Sequence, residues 1–149
     1  MFETQDDPAN AAALRDAAEI VDWWRREHAY PLSKVNAGLR HYLAPHGRPE
    51  VAQRLKKWTT ILYKLHRHPT MRLSAMQDVG GVRAVLSDQA RVDAVVDRLR
   101  RSWRTRLIAE YDYVREPKES GYRAIHLVVV QDERRIEIQL RTPWQDLWA

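Results

Sequence analysis

An alternating segment near the end of the chain constrains the fold more than any other feature. Residues 134–142 have the sequence RRIEIQLRT. Successive side chains of a β-strand point to opposite faces of the sheet, so this pattern predicts a strand with two unlike faces. The apolar set is Ile136, Ile138 and Leu140, and the polar set is Glu137, Gln139 and Arg141. An acid, an amide and a cation in one row indicate a functional surface, although a solvated polar face has the same pattern.

A hairpin is predicted to precede this strand, with residues 122–131 pairing with residues 134–141 across Asp132-Glu133. If Gln131 pairs with Arg134, then His126 lies opposite Gln139 on the polar face. The turn contains neither Gly nor Asn, the residues that two-residue hairpin turns favour. The register of the hairpin is therefore an expectation that depends on the turn.

The remaining elements change from helical to strand periodicity along the chain. Apolar spacing predicts helices first, followed by a strand, a helix, a second strand and the hairpin. The predicted helices are 11–28, ended by Pro31, then 32–43, 57–66 and a segment around 92–103. The predicted strands are 79–86, 105–113 and the hairpin. This order indicates an α+β fold, a mixed β-sheet flanked by helices.

Charge is concentrated in the middle of the chain. Residues 54–118 carry 15 basic and 7 acidic side chains, a net charge of +8, whereas residues 1–53 and 119–149 are net −2 and −1. Such a positive field suits a polyanion, such as a nucleotide triphosphate or RNA, but a solvated basic surface would have the same composition. The chain has no cysteine, no signal-peptide core and no long apolar run. We therefore expect a cytoplasmic protein that does not enter the membrane.

Asp78 lies in the segment QDVGGVRAV, just before a valine-rich strand. An acid there and a second acid on a neighbouring strand could hold Mg²⁺, because this ion in phosphoryl-transfer sites uses one or two carboxylates together with substrate phosphates. An aspartate that caps a turn is the simpler alternative. The sequence alone leaves both open.

Two further segments contain residues suited to a nucleotide. Helical spacing would align Lys56, Thr60 and Lys64 on one face, where they could bind a triphosphate, although exposed lysines on an amphipathic helix look the same. A loop rich in Pro and Gly then leads to Tyr122, whose ring could stack on a base or simply pack.

Taken in order, these segments resemble the synthetase domain of the RelA/SpoT family. The family pattern is R-x-K-x-x-x-S-x-x-x-K, D-x-x-G-x-R, D-Y-x-x-x-P-K-x-x-G-Y-x-x-x-H and E-x-Q-x-R-T. The chain matches it over residues 54–142, with Thr60 in place of serine. The resemblance implies a nucleotidyltransferase-like fold. It divides the chain into an N-terminal helical segment, 1–53, and a synthetase core, 54–149, within a single domain.

The resemblance also implies an activity and a role for each site residue. The expected enzyme transfers pyrophosphate from ATP to a ribose 3′-hydroxyl, either that of GDP or GTP or that of a tRNA 3′ end. Asp78 and Glu137 are expected to bind Mg²⁺ and to be catalytic. The expected ATP-binding residues are Arg54, Lys56, Thr60, Lys64 and Arg83. The expected acceptor-binding residues are Lys118, Tyr122, His126, Gln139 and Arg141.

Two departures from the family pattern widen the range of predicted partners. Synthetases that act on guanosine nucleotides usually carry R-x-K-D before the tyrosine loop, whereas this chain has Ala109-Glu110-Tyr111-Asp112. Because it lacks these two cations, the chain is similar to toxic small alarmone synthetases. This resemblance implies that a tRNA 3′ end could be the acceptor and that an antitoxin is an expected partner. The family also continues with helices after R-T, which suggests a truncated chain or a homo-oligomer. A non-catalytic nucleotide- or RNA-binding module is the alternative from another functional class.

Overall fold

One five-stranded sheet organises the structure, a computed structural model that describes residues 8–149. The helices are α1 (Pro8–Arg26), α2 (Ala29–Leu43), α3 (Trp58–Arg67), α4 (Gln89–Ser102) and α5 (Pro143–Leu147). The strands are β1 (Val51–Leu55), β2 (Gly80–Val85), β3 (Leu107–Asp112), β4 (Ile125–Gln131) and β5 (Arg134–Arg141). The first seven residues of the predicted segment 1–53 lie outside the described residues.

The sheet is mixed, with the strand order β1-β2-β5-β4-β3. Strand β5 lies at the centre, parallel to β2 and antiparallel to β4. The predicted hairpin register is confirmed, because Gln131 pairs with Arg134 and His126 pairs with Gln139. The predicted α+β fold with a mixed sheet flanked by helices is also confirmed.

Helices α2 and α4 cover the apolar face of the sheet. The alternating residues of β5 that predict this face are fully buried: Ile136, Ile138 and Leu140. They belong to one core cluster with Val35 and Leu39 of α2 and with Val95 and Leu99 of α4. Because helices cover the apolar face of the sheet, a ligand can reach only the opposite face, which carries the polar residues of β5.

A second apolar cluster joins α1 to α3. Val21 of α1 packs with Ile61 of α3 and with Met76 and Val79, which precede β2. Arg25 of α1 donates from Nε to the carbonyl oxygen of Lys56 at 2.9 Å. Helix α1 therefore supports the connection between β1 and α3, where part of the predicted site lies.

Two local predictions were wrong. Pro31 does not end the first helix: α1 ends at Arg26, and Pro31 lies in the first turn of α2, where a missing backbone N–H costs little. Strand β1 was not predicted. It spans the predicted boundary at residue 54, and it pairs antiparallel with β2.

Candidate active site

The polar row of β5 faces a cavity of about 920 Å³. The sheet register brings polar residues from neighbouring strands beside this row. Arg83 of β2 and His126 of β4 both pair with Gln139, and Gly81 of β2 pairs with Glu137. Because paired residues share a face of the sheet, strands far apart in sequence contribute to one surface.

The row is organised by a chain of hydrogen bonds. Arg141 donates from Nη2 to Gln139 Oε1 at 2.5 Å, and Gln139 donates from Nε2 to Glu137 Oε2 at 2.8 Å. His126 Nδ1 lies 2.8 Å from Glu137 Oε1, and its Nε2 lies 2.8 Å from the hydroxyl of Tyr122. Since a carboxylate only accepts, Nδ1 of His126 carries a proton. The chain fixes the orientation of Glu137 from both sides.

Glu137 is an ionised carboxylate in a partly buried position. Burial opposes its charge and raises its pKa, but the hydrogen bond and charge of His126 and the amide of Gln139 outweigh burial. The pKa of Glu137 is therefore lowered from its ordinary value. A carboxylate held in this form can accept a proton or bind a cation.

Asp78 lies between two lysines at the edge of the same cavity. Lys56 Nζ is 2.8 Å from Oδ2 and Lys64 Nζ is 3.2 Å from Oδ1. Burial opposes ionisation of Asp78, but the two ammonium groups outweigh it and lower the pKa. Asp78 is thus an ion-paired carboxylate whose side chain is 26% exposed, in contrast to the simple turn cap considered from sequence.

The expected helical row of Lys56, Thr60 and Lys64 is wrong in its geometry. Lys56 lies in the connection before α3, because this helix begins at Trp58. Lys56 and Lys64 nevertheless meet at Asp78. Thr60 is exposed and does not line the cavity. The two lysines come together because β1 and α3 converge on the residues that precede β2.

Arg54 and Arg83 lie on the edge of the sheet beside these groups. Arg54 pairs with Gly81, and Arg83 pairs with Ala52 on β1, so the two arginines are diagonal neighbours on the cavity face. Both line the cavity. Gly81 leaves open space between Arg54 and Glu137. Among the described residues other than its chain neighbours, an added Cβ would have one heavy atom within 4 Å, the carbonyl oxygen of Glu137 at 3.8 Å.

An aromatic cluster forms the other side of the cavity. Tyr111 and Tyr113 stack with ring centroids 6.0 Å apart, and Tyr113 meets Tyr122 edge to face at 6.1 Å. Lys118 places its ammonium 4.6 Å from the centroid of Tyr113 and 5.1 Å from that of Tyr122. Such a cluster offers both a stacking surface and a positive charge to a ligand.

Ten of the twelve predicted site residues line this one cavity. They are Arg54, Lys64, Asp78, Arg83, Lys118, Tyr122, His126, Glu137, Gln139 and Arg141. Lys56 joins them through its ion pair with Asp78, and Thr60 does not. Sequence reasoning did not select Tyr111, Tyr113 or Asp146, which also line the cavity. The alternation of β3 could have indicated Tyr111, which pairs with His126.

The two acids have the chemistry that Mg²⁺ requires. Both carboxylates line the same cavity, and the charge of Asp78 raises the pKa of Glu137 less than His126 and Gln139 lower it. Within residues 8–149 no group of three or more His, Asp or Glu side chains could hold a metal. A pair of carboxylates nonetheless fits Mg²⁺, which completes its shell with substrate phosphates and water.

Comparison with known proteins decides the family. The sequence model described as "Region found in RelA / SpoT proteins" matches residues 53–149. The chain belongs to the RelA/SpoT family. The family resemblance predicted from the four motifs is therefore confirmed.

Relatives of this RelA/SpoT chain include named enzymes and solved structures. It is 32% identical to the GTP pyrophosphokinase YwaC of Bacillus subtilis, over 91% of this chain and 76% of that protein. It is 35% identical to an uncharacterized protein of Mycobacterium tuberculosis over 66% of this chain, but it spans only 36% of that protein's length. The structure of small alarmone synthetase 1 from Bacillus subtilis bound to its product pppGpp superimposes with a TM-score of 0.69 and 27% identity, covering 86% of this chain and 78% of that one.

No helix within residues 8–149 is both long enough and apolar enough to cross a bilayer.

Proposed function

We propose that the chain is an ATP-dependent pyrophosphokinase that transfers the β,γ-pyrophosphate of ATP to the ribose 3′-hydroxyl of GDP or GTP. The observation that carries the proposal is that Asp78 and Glu137, two carboxylates whose pKa values are lowered, line one cavity together with arginine and lysine side chains. The names of similar proteins support it, since YwaC is a GTP pyrophosphokinase and small alarmone synthetase 1 was solved with pppGpp.

The cationic side of the cavity suits ATP. Arg54 and Arg83 project from neighbouring strands, where two planar guanidinium groups can enclose an adenine ring. Lys56 and Lys64 lie beside them. Their ammonium groups, which pair with Asp78, can instead bind the phosphates of the nucleotide. Since phosphoryl transfer depends mainly on positioning and charge stabilisation, this set supplies much of what the reaction needs.

The other side of the cavity suits the acceptor. Tyr122 offers a ring for the base, and Lys118 and Arg141 lie close enough to this ring to reach a phosphate or ribose. His126 and Gln139 hold Glu137 from two sides and fix the carboxylate that faces the acceptor hydroxyl.

The reaction then follows from this placement. The acceptor 3′-oxygen attacks the β-phosphorus of ATP while its proton passes to the Glu137 carboxylate, which is ionised at neutral pH. The bond between the β-phosphorus and the oxygen of the α-phosphate breaks, and AMP leaves. Asp78 and Glu137 would hold Mg²⁺, which when bound neutralises charge on the transferring phosphates.

The test is AMP formation from ATP in the presence of Mg²⁺ and GDP or GTP. We expect Asp78→Asn and Glu137→Gln each to lower the rate by at least about 100-fold, because each removes a charge that faces the reacting phosphates. Asp93→Asn is the matched control, since Asp93 is an exposed acid on α4 outside the cavity. Folded variants that retain near wild-type rates would refute the assignment.

A tRNA 3′ end is a second candidate acceptor, and one observation favours it. Ala109 and Tyr111 occupy the positions at which the family pattern has cations, and Tyr111 stacks on Tyr113. An acceptor without a free 5′-polyphosphate needs no cations there. Offering GDP, GTP and deacylated tRNA in turn separates the candidates, since AMP forms only with the true acceptor. ATP binding without AMP formation would favour a binding module. The cytoplasmic location, an antitoxin partner and a homo-oligomer stay predictions.

A further inference from the structure

The last helix places in the cavity an acid that lies outside the four sequence motifs described above. Helix α5 follows β5 directly and begins with a capping box, in which Thr142 and Gln145 exchange side-chain and backbone hydrogen bonds. Gln145 also donates from Nε2 to Gln89 of α4 at 3.0 Å. These contacts fix α5 in place, and Asp146 lines the cavity.

Asp146 lies between two arginines from different strands. Its Oδ1 is 3.5 Å from Nη1 of Arg83 on β2 and 3.4 Å from Nη1 of Arg141 on β5. Arg141 is only 4% exposed, so its charge needs a counter-ion within the protein. Arg141 has no other ion pair within residues 8–149, and its ring contact is the face of Tyr122 at 5.6 Å.

The contact is one of charge rather than of hydrogen bonding. Asp146 Oδ1 and the Nε and Nη1 of Arg141 are buried, and none of the three has a hydrogen-bond partner among the described residues. Asp146 therefore compensates the guanidinium charge without occupying its N–H donors.

We propose that Asp146 is a positioning residue that holds Arg83 and Arg141 in a common orientation and so links the two substrate sites. The role rests on the proposed function, in which Arg83 contacts ATP and Arg141 contacts the acceptor. Loss of the Asp146 charge should loosen both arginines together, and binding of both substrates should weaken. An acid that only anchored α5 would affect folding and the amount of active enzyme, not the two KM values.

The experiment measures kcat and the KM of each substrate for Asp146→Asn, which keeps the shape of the side chain and removes its charge. We expect both KM values to rise by about tenfold or more, the size of one lost charge-assisted contact. Asp146→Glu should recover part of the loss. Asp97→Asn is the matched control, because Asp97 is an exposed acid paired with Arg100 at 2.6 Å outside the cavity.

A double variant that combines Asp146→Asn with Arg83→Ala gives a second measurement. If Asp146 acts on ATP through Arg83, adding Asp146→Asn to Arg83→Ala should raise the KM for ATP little further. An unchanged or lower KM for either substrate in Asp146→Asn overturns the proposal, as does a fall in kcat alone. A wild-type chain that neither binds ATP nor forms AMP would refute the proposed function and this role with it. An active wild type matched by Asp146→Asn refutes only the role of Asp146.

Discussion

At the scale of single residues, the site is a set of charges that compensate one another. Asp78 is neutralised by Lys56 and Lys64, and Glu137 is held by His126 and Gln139. Both carboxylates keep a lowered pKa despite partial burial. Because folding lowers both pKa values, the ionised form of each carboxylate stabilises the native state. The two acids of the site should therefore also contribute to the stability of the fold.

The stabilising effect of Asp78 should disappear in acid. A carboxyl whose pKa is lowered on folding stabilises the native state above its unfolded pKa, which is 3.8 for an ordinary aspartate, and loses this effect as the pH falls through the folded value. We expect Asp78→Asn to lower the free energy of unfolding by about 1–3 kcal/mol at pH 7. Urea unfolding should show this difference shrinking below about pH 4. Lys56→Met, which removes a partner, should flatten the same dependence, and parallel curves at all pH values would contradict the prediction.

Two adjacent glycines should respond differently to the same substitution. Gly81 faces the cavity with open space around an added Cβ, whereas at Gly80 the added Cβ would lie 3.0 Å from Cδ1 of Ile136. We expect Gly81→Val to change stability by less than about 0.5 kcal/mol. The KM of the Gly81→Val enzyme for ATP should rise at least about tenfold, because the valine side chain fills the space beside Arg54. Gly80→Val should instead cost about 1–3 kcal/mol of stability. Thermal unfolding and AMP formation separate the two effects, and equal responses would contradict the prediction.

At the scale of elements, the sequence predicts those whose pattern contrasts apolar with polar positions. The alternation of β5 predicts both its faces and, with the hairpin, the pairing of His126 with Gln139. Strand β1 carries Gln53 and Arg54 at the edge of the sheet, so it has little apolar pattern to detect. Lys56 was aligned with Lys64 by helical spacing, whereas Lys56 lies before α3, which begins at Trp58. The position of Lys56 depends on packing that sequence spacing does not contain.

The hairpin turn offers a prediction about one element. Asp132 and Glu133 both have positive φ angles, 48° and 62°, a conformation that side chains other than glycine disfavour. The turn forms without Gly or Asn because the strands on both sides pair fully and Asp132 binds Lys34 of α2 at 2.8 Å. We expect Glu133→Gly to stabilise the protein by about 0.5–1 kcal/mol, measured by urea unfolding. Glu50→Gly, at an exposed loop position without positive φ, should not stabilise it. Equal effects of the two substitutions would contradict this explanation.

At the scale of the whole molecule, the site exists only when distant segments are assembled. The cavity draws residues from all five strands, from α3, from α5 and from the loops before β2 and β4. The motifs fix which residues take part, but the order of strands in the sheet decides which of them meet. Asp146 shows the limit of sequence reasoning, because its two arginine partners lie 63 and 5 residues away along the chain and only the parallel pairing of β2 with β5 brings both to it.

The predicted N-terminal segment should unfold together with the core. Val21 packs into the cluster with Ile61, and Trp24 lies under the guanidinium of Arg134 at 4.5 Å, so α1 contacts both α3 and the start of β5. Native-state hydrogen exchange measures this directly, because elements of one cooperative unit open with the same free energy. We expect amides near Val21 to open within about 1 kcal/mol of those in β5.

The loop at Gly121 is the internal control for that exchange experiment. Residues Arg115 to Gly121 are exposed, and their backbone hydrogen bonds close only short local turns, such as that from Gly121 N–H to Lys118 O at 2.8 Å. Their amides should therefore exchange with little protection. If α1 opened at a free energy close to that of the loop, it would be an independent segment. The Arg25 contact to the carbonyl of Lys56 could not then steady the lysine that binds Asp78. Opening together with β5 would instead make α1 part of the structure that positions the site.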